Sequence, residues 1–105
     1  MSDFSLLHER ARAIRAKYAQ FEQTKYGKEW TKEQLVQGFV VDVGELMEIV
    51  MAKSGIRTDE NLDEKLKHEL SDCLWSIFVI ADQYNIDLEQ AFLQTMDQLD
   101  KRLSV

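Results

Sequence analysis

The chain contains no proline, and only four glycines occur among its 105 residues. Folds built from strands and tight turns usually need more of both, because turns use the fixed φ angle of proline and the positive φ angles that glycine adopts. The sequence therefore predicts an all-α protein. A chain of this length buries enough surface for one modest core, so residues 1–105 are expected to form a single helical domain.

Apolar residues recur at spacings of three and four along most of the chain, which predicts four helices. The predicted helices span approximately residues 3–23, 31–53, 61–84 and 87–102. Thr31 with Gln34, and Asn61 with Glu64, match the spacing of a capping box at a helix start, and Gly55 suits a left-handed helix end. The short connections between the helices predict a four-helix antiparallel bundle.

The charge balance is acidic, with 13 Lys and Arg against 19 Asp and Glu and a formal net charge of −6. This balance argues against a nucleic-acid polymer or an anionic membrane as partner, because both bind basic patches. No apolar run approaches the ~18–20 residues that a membrane span needs. The single cysteine, Cys73, excludes an internal disulfide, and the N-terminal residues lack a signal-peptide core, so a cytoplasmic location is expected.

The predicted second helix carries apolar residues on almost every side. Its main core stripe is expected to consist of Leu35, Phe39, Val43, Leu46 and Val50. Glu45 and Glu48 lie on the opposite face, three residues apart, so that their carboxylates are neighbours. Three short partner helices cannot cover a helix that is apolar all round, and the chain is therefore expected to self-associate.

The predicted third helix repeats this arrangement, with Glu69 and Asp72 one turn apart beside the apolar segment 73–81. If the two helices pack antiparallel, the acidic pairs converge, and four buried carboxylates repel one another unless a cation joins them. Oxygen ligands of this kind favour Mg²⁺ or Mn²⁺. The alternative for either pair alone is a solvated surface, where acidic residues at this spacing are common.

Two segments together resemble a known family: Val43-Gly44-Glu45-Leu46-Met47-Glu48 and His68-Glu69-Leu70-Ser71-Asp72. They are similar to the Glu-x-x-Glu and Glu-x-x-Asp motifs of the MazG-like all-α nucleoside triphosphate pyrophosphohydrolases, and look most like the dCTP-pyrophosphatase branch. The similarity extends over approximately residues 30–102.

The resemblance implies a Mg²⁺-dependent enzyme that hydrolyses a (deoxy)nucleoside triphosphate to the monophosphate and pyrophosphate. It implies that Glu45, Glu48, Glu69 and Asp72 are the metal ligands and the catalytic residues. One carboxylate, directly or through the metal, would activate the attacking water, and a glutamate is favoured over Asp72. Relatives of this type are dimers or tetramers, which makes a homodimer or homotetramer the expectation here.

Four further residues are candidates for substrate binding. Lys53, Arg57 and Lys65 lie near the ends of the acidic helices and are candidates to contact phosphate. Lys65 is the best of them because it shares a stripe with Glu69; a solvated surface position is the alternative for each. Trp30 is a candidate to stack on a nucleobase, with a core or interface position as its alternative. His68 is expected to point away from Glu69.

The sequence departs from the family at three positions. Gly44 stands where many members carry a further glutamate, and Thr95 and Leu99 replace a lysine and an asparagine that contact the nucleotide in the dCTP-pyrophosphatase branch. These departures favour an alternative, a helical oligomerisation or regulatory module that retains the fold with little or no hydrolysis. A carboxylate-bridged redox protein is a weaker alternative, because no Glu-x-x-His pair is present.

Overall fold

The computed structural model describes residues 2–55 and 61–104, which form four α-helices and no strand. The helices are α1 (Asp3–Tyr26), α2 (Lys32–Lys53), α3 (Leu62–Gln83) and α4 (Leu88–Leu103). The predicted all-α class and the four helices are confirmed, and α1 extends one turn beyond its predicted end. None of the helices in the described ranges combines the length and apolarity needed to cross a membrane.

Hydrogen bonds at the helix ends show which local predictions were correct. Thr31 begins α2 with a full capping box: its hydroxyl accepts from the Gln34 N–H at 3.2 Å, and its own N–H donates to Gln34 Oε1 at 2.8 Å. The second predicted capping box is wrong. Asn61 adopts a left-handed conformation with φ of 61°, and its side chain makes no capping hydrogen bond, because a capping side chain normally requires an extended backbone.

Helices α2 and α3 pack antiparallel, because their contacts pair residues in reverse order. The ammonium group of Lys53 at the end of α2 contacts the carboxylate of Asp63 in the first turn of α3. Near the middle of the pair, the Ser76 hydroxyl donates to Asp42 Oδ2 at 3.1 Å. The Glu-x-x-Glu and Glu-x-x-Asp segments therefore lie at the same level of the helix pair.

Helix α1 is attached to α3 by polar and aromatic contacts. Trp75 Nε1–H donates to the carbonyl oxygen of Ala11 at 3.1 Å. The Arg12 guanidinium donates twice to the Asp82 carboxylate, at 2.9 and 3.1 Å. These contacts fix α1 along α3, so that α1 forms one wall of the space beside α2.

The predicted core stripe of α2 is only partly buried. Leu35 is buried, but Val43 is 43% exposed and Val50 is 47% exposed. The buried side of α2 is turned away from the centre of that stripe, because Asp42 and Ile49 are half-buried and Ala52 is buried. The hydrogen bond that Asp42 accepts from Ser76 offsets part of the cost of burying its carboxylate.

The single chain is extended rather than compact. Its radius of gyration is 16.8 Å, against about 13 Å for a compact domain of this length. Helix α4 has no buried residue, and its Phe92 and Leu93 are about half exposed. The compact arrangement expected from the short connections is therefore not reached by one copy, because α4 covers little of its own chain.

Candidate functional site

Three carboxylates from α2 and α3 meet where the two helices pack. Asp42 and Glu45 lie three residues apart on one face of α2, and Glu69 faces them from α3. One oxygen from each can be chosen so that all lie within 4.8 Å of one another, close enough to share a metal ion. Asp42 and Glu69 are half-buried and Glu45 is exposed, so the cluster lies at the edge of the helix interface.

A second group of ligand atoms shares Glu69. His68, Glu69 and Asp72 also bring one ligand atom each within 4.8 Å of the others. His68 Nε2 lies 3.0 Å from Asp72 Oδ2, one turn along α3. The prediction that His68 points away from the acidic residues is therefore wrong, because i and i+4 side chains are neighbours on a helix surface.

The carboxylate of Glu69 belongs to both groups of ligand atoms. Desolvation raises its pKa, and the nearby charges of Glu45 and Asp72 raise it further. Its Oε2 atom is buried and accepts no hydrogen bond from the described residues. A buried oxygen without a donor, close to other carboxylates, is the environment that a divalent cation would relieve. The donor set, mainly carboxylate oxygen, suits Mg²⁺ or Mn²⁺.

The structure brings together three of the four predicted acidic residues. Glu45, Glu69 and Asp72 belong to the groups described above, whereas Glu48 is exposed one turn further along α2 and belongs to neither. Asp42 is not among the residues predicted from the sequence, because it lies outside the Glu-x-x-Glu motif. Its spacing of three residues from Glu45 is the signal that identifies it.

A cavity of about 430 Å³ lies between α1, α2, α3 and the connection that carries Trp30. Its aromatic walls are Tyr18, Phe21, Tyr26, Trp30 and Trp75. Asp42 and Ser76 also line it, so the cavity adjoins the acidic cluster. A Cβ atom on Gly38 would lie 3.4 Å from Trp30 Cζ3. The indole ring of Trp30 therefore lies against α2 at Gly38.

The predicted basic residues are less closely grouped. Lys53 pairs with Asp63, and this contact lowers the pKa of Asp63. Lys65 is exposed on α3, one turn before Glu69. Arg57 lies outside the described residues. Of the three predicted substrate-binding residues that the structure describes, Trp30 lines the cavity, whereas Lys53 and Lys65 do not.

Comparison with known proteins gives one match. Residues 30–104 match the model of the MazG nucleotide pyrophosphohydrolase domain, a range that contains α2, α3, α4 and both acidic segments. No curated protein and no solved structure matches the chain. The match covers well over half of the sequence, and the chain belongs to the MazG nucleotide pyrophosphohydrolase domain family.

Proposed function

We propose that this protein is a Mg²⁺-dependent pyrophosphohydrolase that cleaves (deoxy)nucleoside triphosphates to the monophosphate and pyrophosphate. The observation that carries the proposal is the junction at Asp42, which belongs both to the carboxylate cluster and to the lining of the aromatic cavity. A nucleotide needs these two environments side by side, one for its base and one for its cation-bound phosphates. Mn²⁺ is the second candidate cation.

Asp42, Glu45 and Glu69 would hold the cation, with Asp72 and His68 on the other side of Glu69. When bound, the cation would neutralise phosphate charge and stabilise the charge that develops during hydrolysis. The orphaned Oε2 atom of Glu69 supports this ligand set.

The reaction itself needs a proton acceptor near the attacking water. The water oxygen bonds to the α-phosphorus, the bond from that phosphorus to the bridging oxygen breaks, and pyrophosphate leaves. Glu48 is our candidate to accept the water's proton, because it lies one turn from Glu45 and outside both ligand groups. The other predicted catalytic carboxylates then act chiefly as ligands.

The cavity would bind the nucleoside, with Trp30 stacking on the base. Aromatic walls favour a flat, polarisable ring over a sugar or a peptide. Lys65 is the candidate phosphate contact on α3. Lys53 is a weaker candidate, because Asp63 already holds its ammonium group, and Arg57 remains a prediction from sequence.

A second copy of the chain would cover the apolar surfaces that one copy leaves open. The exposed large side chains include Val40, Val43, Met47, Val50, Leu70, Leu74, Phe92 and Leu93. Monomeric proteins rarely expose a contiguous apolar surface on this scale. We therefore propose a homodimer or homotetramer in which the outer faces of α2 and α3, with α4, form the interface.

The alternative function is a regulatory or oligomerisation module with little or no hydrolysis. One observation favours it: a Cβ atom on Gly44 would meet nothing within 4 Å. A side chain would therefore fit at position 44, where many family members carry a further glutamate, and this chain lacks that carboxylate. Thr95 and Leu99, which replace polar nucleotide contacts, add to this alternative.

Pyrophosphate release distinguishes the two functions. The purified protein is incubated with each common NTP and dNTP, with and without Mg²⁺, beside Glu48→Gln and Asp72→Asn variants. Glu33→Gln, an exposed acid in the first turn of α2, is the matched control. The enzyme predicts Mg²⁺-dependent release that both site variants reduce and the control retains. No release from any nucleotide would favour the regulatory module, and full activity in both site variants would refute the site.

A further inference from the structure

Among the described residues, Glu22 on α1 is the one buried charged side chain. Its carboxylate accepts two hydrogen bonds from the Arg15 guanidinium, at 2.8 and 2.9 Å. It also accepts one from the backbone N–H of Trp30, at 2.9 Å. The Arg15 and Glu22 side chains are only 12% and 7% exposed, so the pair is largely removed from water.

The stability of the fold does not by itself explain a pair in this position. Desolvating two charges is costly, and apolar residues of similar volume often replace a buried ion pair without loss of stability. The pair also lines the cavity, and α1 lies entirely before the family match, which begins at residue 30. The part of the cavity wall that α1 forms therefore lies outside the residues matched to the family.

The third hydrogen bond connects this pair to the backbone of Trp30, whose residue also lines the cavity. Residues 27–31 between α1 and α2 are not helical, so few local hydrogen bonds fix the backbone of Trp30. Glu22 supplies one directly, immediately before the capped start of α2 at Thr31. The hydrogen bond sets the position of the Trp30 backbone relative to α1, and the indole ring lies against α2 at Gly38.

We propose that Glu22 is a positioning residue for the nucleoside end of the substrate, which holds Trp30 in place as a cavity wall and is itself held by Arg15. The inference rests on the proposed function, because it assigns the cavity to the nucleoside. The site then has two parts, the cavity for the nucleoside and the carboxylates for the cation. Loss of the Glu22 contact weakens nucleoside binding, whereas the carboxylates that hold the cation on α2 and α3 are unaffected.

The test uses a double variant, Arg15→Met with Glu22→Met, which keeps the volume of the pair and removes the hydrogen bond to Trp30. The control is Glu64→Gln with Lys67→Gln, which removes an exposed ion pair of α3 that does not line this cavity. KM and kcat for pyrophosphate release are measured together. Binding of the nucleoside monophosphate without a divalent cation is followed by tryptophan fluorescence, and thermal unfolding verifies that each variant is folded.

We expect KM and the monophosphate Kd to rise about ten-fold in the double variant, the size of one charge-assisted hydrogen bond, with kcat changed by less than about two-fold. The control pair should leave KM and Kd unchanged. If the double variant does not fold, Glu22→Gln replaces it, with a rise of about three-fold because the amide oxygen still accepts.

Two outcomes overturn the inference, and a third result is separate from it. Unchanged KM and Kd in a folded variant would show that the pair is only structural, with the proposed function intact. No fluorescence response of the wild type to any monophosphate would show that the cavity binds no nucleoside. In the third result, the wild type binds the monophosphate and the double variant binds it more weakly, but neither releases pyrophosphate. This result would refute the proposed hydrolysis and retain the positioning role of Glu22.

Discussion

The Ser76 hydroxyl on α3 donates a hydrogen bond to Asp42 Oδ2 on α2 at 3.1 Å. Ser76 is buried, and both residues line the aromatic cavity, while Asp42 also belongs to the acidic cluster. One side-chain pair therefore connects the two halves of the proposed site. The hydrogen bond holds Asp42 Oδ2 in place, and it thereby also fixes the direction of the second carboxylate oxygen of Asp42.

Asp42→Asn should weaken cation binding, because the amide keeps the shape of the side chain and still accepts from Ser76 but loses the charge. We expect the Mg²⁺ concentration for half-maximal activity to rise at least about ten-fold, the scale of changes around metal ligands. The measurement is pyrophosphate release against Mg²⁺ concentration, with Glu33→Gln as control for the loss of a carboxylate outside the cluster. An unchanged Mg²⁺ dependence would remove Asp42 from the ligand set.

Glu69→Gln should stabilise the protein when no divalent cation is present. The pKa of Glu69 is raised in the folded state, so its ionised form opposes folding once the pH exceeds that raised value. We expect the melting temperature in EDTA to rise by about 2–6 °C at neutral pH, on the scale for a domain of this size. A lower melting temperature in EDTA would contradict the electrostatic description of the cluster.

The same variant should lose the stabilisation that the cation provides. Binding to the folded state alone raises wild-type stability with ligand concentration. We therefore expect a saturating Mg²⁺ addition to raise the melting temperature of the wild type clearly more than that of Glu69→Gln. Equal shifts in both proteins would place the cation elsewhere.

Glu22 should contribute stability that depends on pH in the opposite sense to the contribution of Glu69. Hydrogen bonds from Arg15, the largest cause, and from the Trp30 N–H lower its pKa below the ordinary value of 4.5. This contribution is complete above the unfolded-state pKa and is lost as the pH falls through the lower, folded-state value. Urea unfolding between about pH 5 and pH 3 should show a steeper loss of unfolding free energy in the wild type than in Glu22→Gln. Parallel curves would contradict this assignment.

Met47→Glu should dissociate the protein into monomers. The Met47 side chain is 57% exposed in one copy, so a charge there leaves the single fold intact but would be buried without a partner in the proposed interface. Light scattering after size exclusion gives the mass, and Lys17→Glu on the exposed surface of α1 is the control. An unchanged oligomer mass in Met47→Glu would exclude that face from the interface.

Much of the helical fold could be predicted because the relevant interactions are local. The Thr31 capping box involves residues three apart, and such contacts are visible in the sequence. Asn61 differs because its left-handed backbone is not determined by the spacing to Glu64. The burial of α2 also escaped prediction: a helix with apolar residues on nearly every side gives no periodic signal for the face that meets α3.

The part of the candidate site that depends on helical spacing could be predicted, given the assumption that the second and third helices pack antiparallel. Antiparallel packing brings Glu45 and Glu69 together, as expected. Asp42 and His68 obey the same spacing rules, but neither belongs to the Glu-x-x-Glu and Glu-x-x-Asp motifs from which the site was predicted. The cavity could not be predicted from helical spacing. Part of its wall is the non-helical connection that carries Trp30, and the position of Trp30 depends on a hydrogen bond to Glu22.

The most direct test of the proposed activity is hydrolysis of nucleoside triphosphates in ¹⁸O-labelled water by the purified protein with Mg²⁺. Mass spectrometry of the products locates the oxygen that enters. We predict equal amounts of monophosphate and pyrophosphate, with the label in the monophosphate, and loss of both products in EDTA and in Glu48→Gln. Release of orthophosphate with the diphosphate, or no products from any nucleotide, would contradict a pyrophosphohydrolase.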